Sequence, residues 1–381
     1  MNDSSSAAAL RGSARQSLIR DSWPSILVSV LVAVAAVFSF SERPEPEFPQ
    51  TQVYPDRVLV NGLARQGQRV VAVGELGQIL VADDAKGPWR SAKLEPQQGL
   101  TLTRAIFAGD GVVVAVGHDG LIARSSDRGE TWKQVALGGE GSDPLLGLAG
   151  PYDGRLYAFG AFGLYLISDD LGQTWQQREL VIDEGGAAQA AAAEVIDPNA
   201  DPFANFDAEA VGGAGHLNDM TQTADGSLIL VGERGLLLRS TDKGETWKKL
   251  GDVYSGSFYG VVALPDKSLV AYGMRGNVFY SRDAGTSWNR AKVPLQQSLF
   301  AGAVGPGGEA ILGGAGNTVL VSTDGGATFT LSAVKARNAI AGLLPLAKGE
   351  WLTVGDGGIR TEREAKGVVP EQPETAAGEG E

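Results

Sequence analysis

Residues 117–132 read Gly117-His118-Asp119-Gly120-Leu121-Ile122-Ala123-Arg124-Ser125-Ser126-Asp127-Arg128-Gly129-Glu130-Thr131-Trp132. Two signals lie in this stretch: a G-x-x-G pair and, after a short apolar run, the octet S-x-D-x-G-x-T-W. The octet recurs as Ser168 to Trp175, Ser240 to Trp247, Ser281 to Trp288 and Ser322 to Phe329, with a worn copy from Ala82 to Trp89. The second member of the glycine pair falls at Gly77, Gly120, Gly163, Gly235, Gly276, Asn317 and Gly358. Asparagine tolerates a left-handed backbone better than other non-glycine residues, so Asn317 argues for a turn with positive φ at this position. The intervals are 43, 43, 72, 41, 41 and 41 residues, which makes seven units with an insertion in one interval.

Within a unit the order is an apolar segment, a turn, an alternating segment, the G-x-x-G pair, another alternating segment, the aspartate octet and a short segment opening on its aromatic residue. Val70 to Val73, Val112 to Val116, Leu228 to Val231 and Leu236 to Leu238 have the β-branched and leucine-rich character of strands. Four short strands per repeat predict an all-β fold, a seven-bladed β-propeller with four-stranded blades. The octet belongs to the hairpin between the third and fourth strands. There a carboxylate accepts backbone N–H bonds, glycine supplies an unusual backbone conformation, hydroxyls close the loop and the aromatic residue enters the core. Asp127, Asp170, Asp242, Asp283 and Asp324, with Trp132, Trp175, Trp247, Trp288 and Phe329, are therefore expected to be structural. Identical turns spread around a ring do not converge on one substrate. The seventh unit has no octet, and Thr51 to Pro55, ahead of the first unit, is expected to supply its fourth strand and close the ring.

The 381 residues are 43% hydrophobic, enough for a sizeable core, and their 53 glycines suit a chain that turns often. A formal charge of −13 excludes the chain as a whole from clamping nucleic acid. Without cysteine there is no disulfide, thiolate metal site or cysteine nucleophile, and His118 and His216 are the two histidines. Arg11, Arg15 and Arg20 precede an uncharged apolar run from Trp23 to Phe40. As a helix this run spans roughly 27 Å, close to the hydrocarbon thickness of a thin bilayer. With arginines at its cytoplasmic start it predicts an anchor with the rest of the chain outside the cytoplasm. A cleaved signal peptide is the competing reading, since Ala33-Val34-Ala35 and Ser39-Phe40-Ser41 are small-residue sites. The expected organisation is a cytoplasmic segment at 1–22, the anchor or signal at 23–40, a Pro/Glu-rich spacer at 41–50, the propeller at 51–364 with an insertion at 181–215, and a disordered acidic tail at 365–381.

The octets are Asp boxes, or bacterial neuraminidase repeats, shared by sialidases and several non-enzymatic propellers. Seven G-x-x-G units, six of them followed by the S-x-D-x-G-x-T-W octet or a worn copy of it, resemble the photosystem II stability and assembly factor family of cyanobacteria and plastids. The similarity runs over about residues 51 to 364. It implies a non-catalytic propeller that assists assembly of a membrane protein complex by holding its exported tails or other protein partners. The client is a photosystem in a photosynthetic source, and an envelope or transporter complex in another.

In a propeller the loop between second and third strands opens on the same face as the loop joining successive blades, while the Asp-box turns lie on the other face. The residues inside the G-x-x-G turns thus form a candidate partner-binding ring: Glu75, His118, Asp119, Phe162, Glu233, Arg234, Met274, Arg275 and Asp356, with Leu76, Ala161, Ala315, Gly316 and Gly357 among them. This mixture suits a peptide or protein tail better than a small metabolite. The insertion belongs to the same face. It is acidic, Ala187 to Val195 reads as a short helix, and Phe203 and Phe206 are candidates to dock on the propeller or a partner. Asp197 to Asp201 resembles the start of a calcium loop, but Pro202 stands where glycine is required and no glutamate follows at the twelfth position, so no metal and no cofactor are expected. The alternative is a sialidase-like glycoside hydrolase. It would need an arginine cluster and an acid/base pair; Arg234 and Arg275 sit on the candidate face without a third comparable arginine or an assignable nucleophile.

Overall fold

A computed structural model describes residues 5–40, 53–138, 141–183, 215–332 and 338–364, with side chains in the first segment from residue 22 onward. The chain divides into two units, 1–52 and 53–381. In the first, Ser5–Phe40 is one helix. Its stretch Ser22–Phe40 is long and apolar enough to cross a membrane.

The second unit is a seven-bladed β-propeller. Blade 1 consists of Val60–Gln66, Arg69–Gly74, Ile79–Ala82 and Arg90–Ser91, paired antiparallel in chain order. Blades 2 to 7 open with Leu102–Phe107, Leu145–Tyr152, Leu217–Gln222, Phe258–Ala263, Leu299–Val304 and Ile340–Ala347. Each first strand packs against the first strands of both neighbouring blades, the seventh against the first, so these strands surround the axis. The second strand of a blade is covered on both sides by neighbouring blades. It accordingly reads as an unbroken apolar run rather than an alternation, as in Val70-Val71-Ala72-Val73, where every residue is buried. The core is divided among the blade boundaries. Val71, Val73 and Val81 of blade 1, for example, meet Leu102, Val113, Ala115 and Trp132 of blade 2.

The aspartate turns close as their residue types require. Ser125 Oγ donates to Asp127 Oδ1 at 2.7 Å and accepts the Gly129 N–H at 2.9 Å. Asp127 also accepts the Thr131 N–H at 3.0 Å and the Thr131 hydroxyl at 2.6 Å. Asp170, Asp242 and Asp283 repeat this pattern, and Asp324 repeats it with Ser322 Oγ and the Thr328 N–H. At Asp283 the Ser287 hydroxyl and N–H hold the carboxyl down at about 2. The aromatic residues differ in depth: Trp132, Trp247 and Phe329 are buried, whereas Trp175 and Trp288 are half-buried. A further indole, Trp351 on the second strand of blade 7, fills the boundary with blade 6.

Two features depart from expectation. Blade 7 has three strands, Ile340–Ala347, Glu350–Gly355 and Arg360–Arg363. The segment ahead of blade 1 does not pair as a fourth; Thr51 and Gln52 lie outside the described residues, and Pro55–Arg57 is a 3-10 turn. Pro55 has no N–H to give a ladder, and its carbonyl instead accepts the Ile359 N–H at 2.7 Å. The ring closes by packing: Val53 and Val58 join Leu352, Val354 and Ile359 against Val70 and Leu80. Among the described residues no further strand pairs with Arg360–Arg363, which carries Arg360, Glu362 and Arg363, charges that discourage strand addition. Second, two blades gain a fifth, parallel strand on their outer edge. Lys93–Glu95 pairs with Thr131–Ala136, and Ile182–Asp183 pairs with Trp247–Lys249, so the chain leaving one blade covers the edge of the next.

Candidate functional site

Antiparallel pairing puts the loops between second and third strands, and those between blades, on one edge of the ring, and the aspartate turns on the other. On the first edge the G-x-x-G turns of blades 1 to 6 share one backbone, whereas in blade 7 Gly358 has positive φ and Gly357 before it does not. The second glycine has positive φ, for example 65° at Gly120 and 69° at Gly235, and Asn317 adopts 53°. The residue before it is left-handed too: Leu76, Asp119, Phe162, Arg234 and Arg275 have φ between 51° and 55°. Each of these non-glycine side chains is held up at a cost of about 1 kcal/mol. The first glycine answers a different demand. Its backbone is extended, but a Cβ on Gly117 would lie 2.1 Å from Thr101 O and 3.0 Å from Leu102 Cα. The same close approach recurs at Gly74, Gly160, Gly273 and Gly314.

Of the sequence-predicted ring, Glu75, His118, Phe162, Arg234 and Asp356 are exposed, and Asp119, Glu233, Met274 and Arg275 are half-buried. Two acids also serve the turn itself. Glu233 Oε2 accepts the His216 N–H at 3.1 Å, and Asp356 Oδ1 accepts the Ala339 N–H at 2.8 Å. The structure brings Phe162 and Glu233 together through a residue the sequence reading left out. The His216 ring stands perpendicular to Phe162 with centroids 5.2 Å apart, and its Nδ1 is 3.5 Å from Glu233 Oε1. This cluster joins blades 3 and 4 where the chain returns from the insertion. Phe203, Phe206 and Ala187 to Val195 lie outside the described residues, as does Asp197 to Asp201. Among the described residues no group of three or more His, Asp or Glu could hold a metal ion.

The same edge carries a second ring that sequence reading missed. Every first strand has a register break around its second residue, placing Asn61, Thr103, Leu146, Asn218, Tyr259, Phe300 and Ala341, all half-buried, around the axis. Asn61 Nδ2 donates to Leu102 O at 3.0 Å, Thr103 Oγ1 to Leu145 O at 2.7 Å and Asn218 Nδ2 to Phe258 O at 2.7 Å, each tying one blade to the next. Tyr259 and Phe300 meet with centroids 5.4 Å apart. One residue further along, the strands carry Gly62, Gly147, Gly260, Ala301 and Gly342, but Arg104 and Asp219 in blades 2 and 4. Asp219 accepts N–H bonds from Val261 at 3.1 Å and Met220 at 3.0 Å. Burial pushes its carboxyl above the ordinary range, against the pull of Arg104 and these two donors. The axis of the ring thus holds one cationic and one anionic side chain where the other blades have small residues.

Five exposed large apolar side chains of the propeller stand on this edge. Leu76 is 76% exposed, Phe162 58% and Tyr54 48%, with Leu59 and Leu137 beside the same loops. The aspartate-turn edge shows Val181, which is 50% exposed beside the turn that ends in Trp247, with Leu171 and Val304.

No family model and no curated protein sequence matches the chain. Solved structures do. A structure of YCF48 bound to D1 peptide aligns over 85% of this chain and all of its own, at 16% identity and a TM-score of 0.61. YCF48 from Cyanidioschyzon merolae aligns over 82% of this chain and 98% of its own, at 13% identity and a TM-score of 0.60. A catalytically inactive virginiamycin B lyase from Staphylococcus aureus with quinupristin covers 83% and 98%, at 15% identity and a TM-score of 0.62. Resemblance at these identities carries the propeller fold to this chain.

Proposed function

We propose that this chain is a non-catalytic docking propeller. It holds extended protein segments of a membrane complex against the G-x-x-G edge, outside the cytoplasm, and the apolar helix keeps it near the membrane. The observation that carries this reading is the clustering of Leu76, Phe162, Tyr54, Leu59 and Leu137 on one edge, interleaved with His118, Glu233 and Arg234. Exposed aromatic and aliphatic anchors within a polar rim are the anatomy of a protein-binding surface. A propeller of the same fold described as bound to D1 peptide supports the choice of a peptide ligand, and an assembly role like that of the photosystem II factors is the finer form of the proposal.

The left-handed turns allow binding to be separated from folding. Phe162→Gly removes an anchor and relieves the backbone, so its thermal midpoint should equal or exceed that of the parent. Affinity purification of the full chain from solubilised membranes should return a stoichiometric membrane protein, and Phe162→Gly combined with Arg234→Glu should lose it by about tenfold or more. Retention of the partner by this variant would refute the assigned surface, and turnover of glycosides by the purified protein would refute the non-catalytic reading.

A further inference from the structure

Tyr272 lies on the second strand of blade 5, Leu269–Gly273, and is 2% exposed. Its ring crosses two first strands: a Cβ on Gly260 would meet its Oη at 2.1 Å, and a Cβ on Gly302 would meet it at 2.8 Å. Gly260 and Gly302 belong to the innermost strands of blades 5 and 6, so glycine at both places lets the hydroxyl reach the axis. Burial, with the Asp219 carboxyl nearby, pushes this hydroxyl above the ordinary phenol range and keeps it a neutral donor.

Arg104 reaches the same place from blade 2. Its charge bears on Asp219 of blade 4 and on Tyr272 of blade 5. Yet among the described residues neither the Arg104 guanidinium nor the Tyr272 hydroxyl has a hydrogen-bond acceptor, and no ion pair joins Arg104 to Asp219. Asp219 has engaged its two oxygens with the Met220 and Val261 N–H groups. The polar side chains alongside are engaged too, since Asn61, Thr103 and Asn218 each donate to the following blade. Both unpaired donors remain open to solvent. Arg104 is half-buried, and the Tyr272 hydroxyl is not sealed off.

We propose that the axis of the propeller binds a carboxylate between the Arg104 guanidinium and the Tyr272 hydroxyl. The guanidinium supplies charge-assisted hydrogen bonds and the phenol a neutral one, and the two oxygens of a carboxylate accept both kinds together. Asp219 sets the limit on ligand charge. Its oxygens face the same space, so a dianion would meet repulsion that a monoanion paired with Arg104 largely escapes. The site is built from blades 2, 4 and 5 and stands whether or not the G-x-x-G edge docks a protein.

The test is titration of the full-length chain in non-ionic detergent micelles with acetate and, separately, with acetyl-triglycine, read by ligand-observed NMR. Binding of at least one of them is expected at millimolar concentration, weakened by about tenfold or more in Arg104→Gln and about threefold or more in Tyr272→Phe. Tyr272→Phe keeps the ring across Gly260 and Gly302 and removes only the donor, so its loss of binding cannot be ascribed to unfolding. Tighter binding of acetyl-triglycine than of acetate assigns the carboxylate to an extended chain end, and the reverse assigns it to a free small acid. No binding of either probe at millimolar concentration, or undiminished binding in either variant, would overturn the proposal.

Discussion

Trp132→Ala should lower the stability of the propeller by about 3–5 kcal/mol. Trp132 is 1% exposed, its Nε1 donates to Gly129 O at 2.8 Å, and its ring packs among Leu94, Val71 and Val113 at the boundary of blades 1 and 2. Truncation empties space that no neighbour can fill, because the flanking second strands are pinned on both faces. Trp175→Ala offers an internal comparison. Its indole makes the same kind of bond to Gly172 O, at 3.2 Å, but the side chain is half-buried. The loss should be clearly smaller there. Urea unfolding of the full chain in detergent, followed by fluorescence of the remaining tryptophans, reads both. Equal losses in the two variants would show that the aromatic residue acts through its hydrogen bond rather than as a wedge between blades.

Gly117→Ala should destabilise by about 1–3 kcal/mol or more, although alanine has no quarrel with its extended backbone. The added methyl would meet Thr101 O and Leu102 Cα, both main chain, at 2.1 and 3.0 Å. Side chains can turn aside; a strand carbonyl must move as a body. That movement would also disturb Thr103, whose hydroxyl ties blade 2 to Leu145 O of blade 3. Gly67→Ala is the control, with φ of 62° and nothing within 4 Å of the added carbon. It should lose only the left-handed penalty of about 1 kcal/mol. If both variants unfold at the same urea concentration, the first glycine of the pair is not a point of close approach.

The features that were legible in the sequence are those set by neighbours along the chain. Ser125, Asp127, Gly129 and Thr131 bond one another within a few residues, so their spacing announces the turn and its repetition announces the ring. The Phe162–His216 contact and the His216–Glu233 pair join residues far apart in the chain, and nothing local marks them. The ring of Asn61, Thr103 and Asn218 depends on bulges whose partners lie in the following blade. A trace of it was readable: superposing the repeats puts Gly62, Gly147, Gly260 and Gly342 at one position, against which Arg104 and Asp219 stand out. The closing strand was expected because an open edge is a liability. The sequence offered Pro55 at that point and a charged third strand in blade 7, which together are compatible with closure by packing.

Site-specific photo-crosslinking in native membranes addresses the docking edge most directly, with a photoreactive phenylalanine analogue placed at Phe162 in one chain and at Leu171 in another. Both positions are exposed on blade 3, the first on the G-x-x-G edge and the second on the aspartate-turn edge. The account predicts a discrete adduct with a membrane protein from position 162 and none from position 171. Adducts from 171 alone, or the same adduct from both, would contradict it.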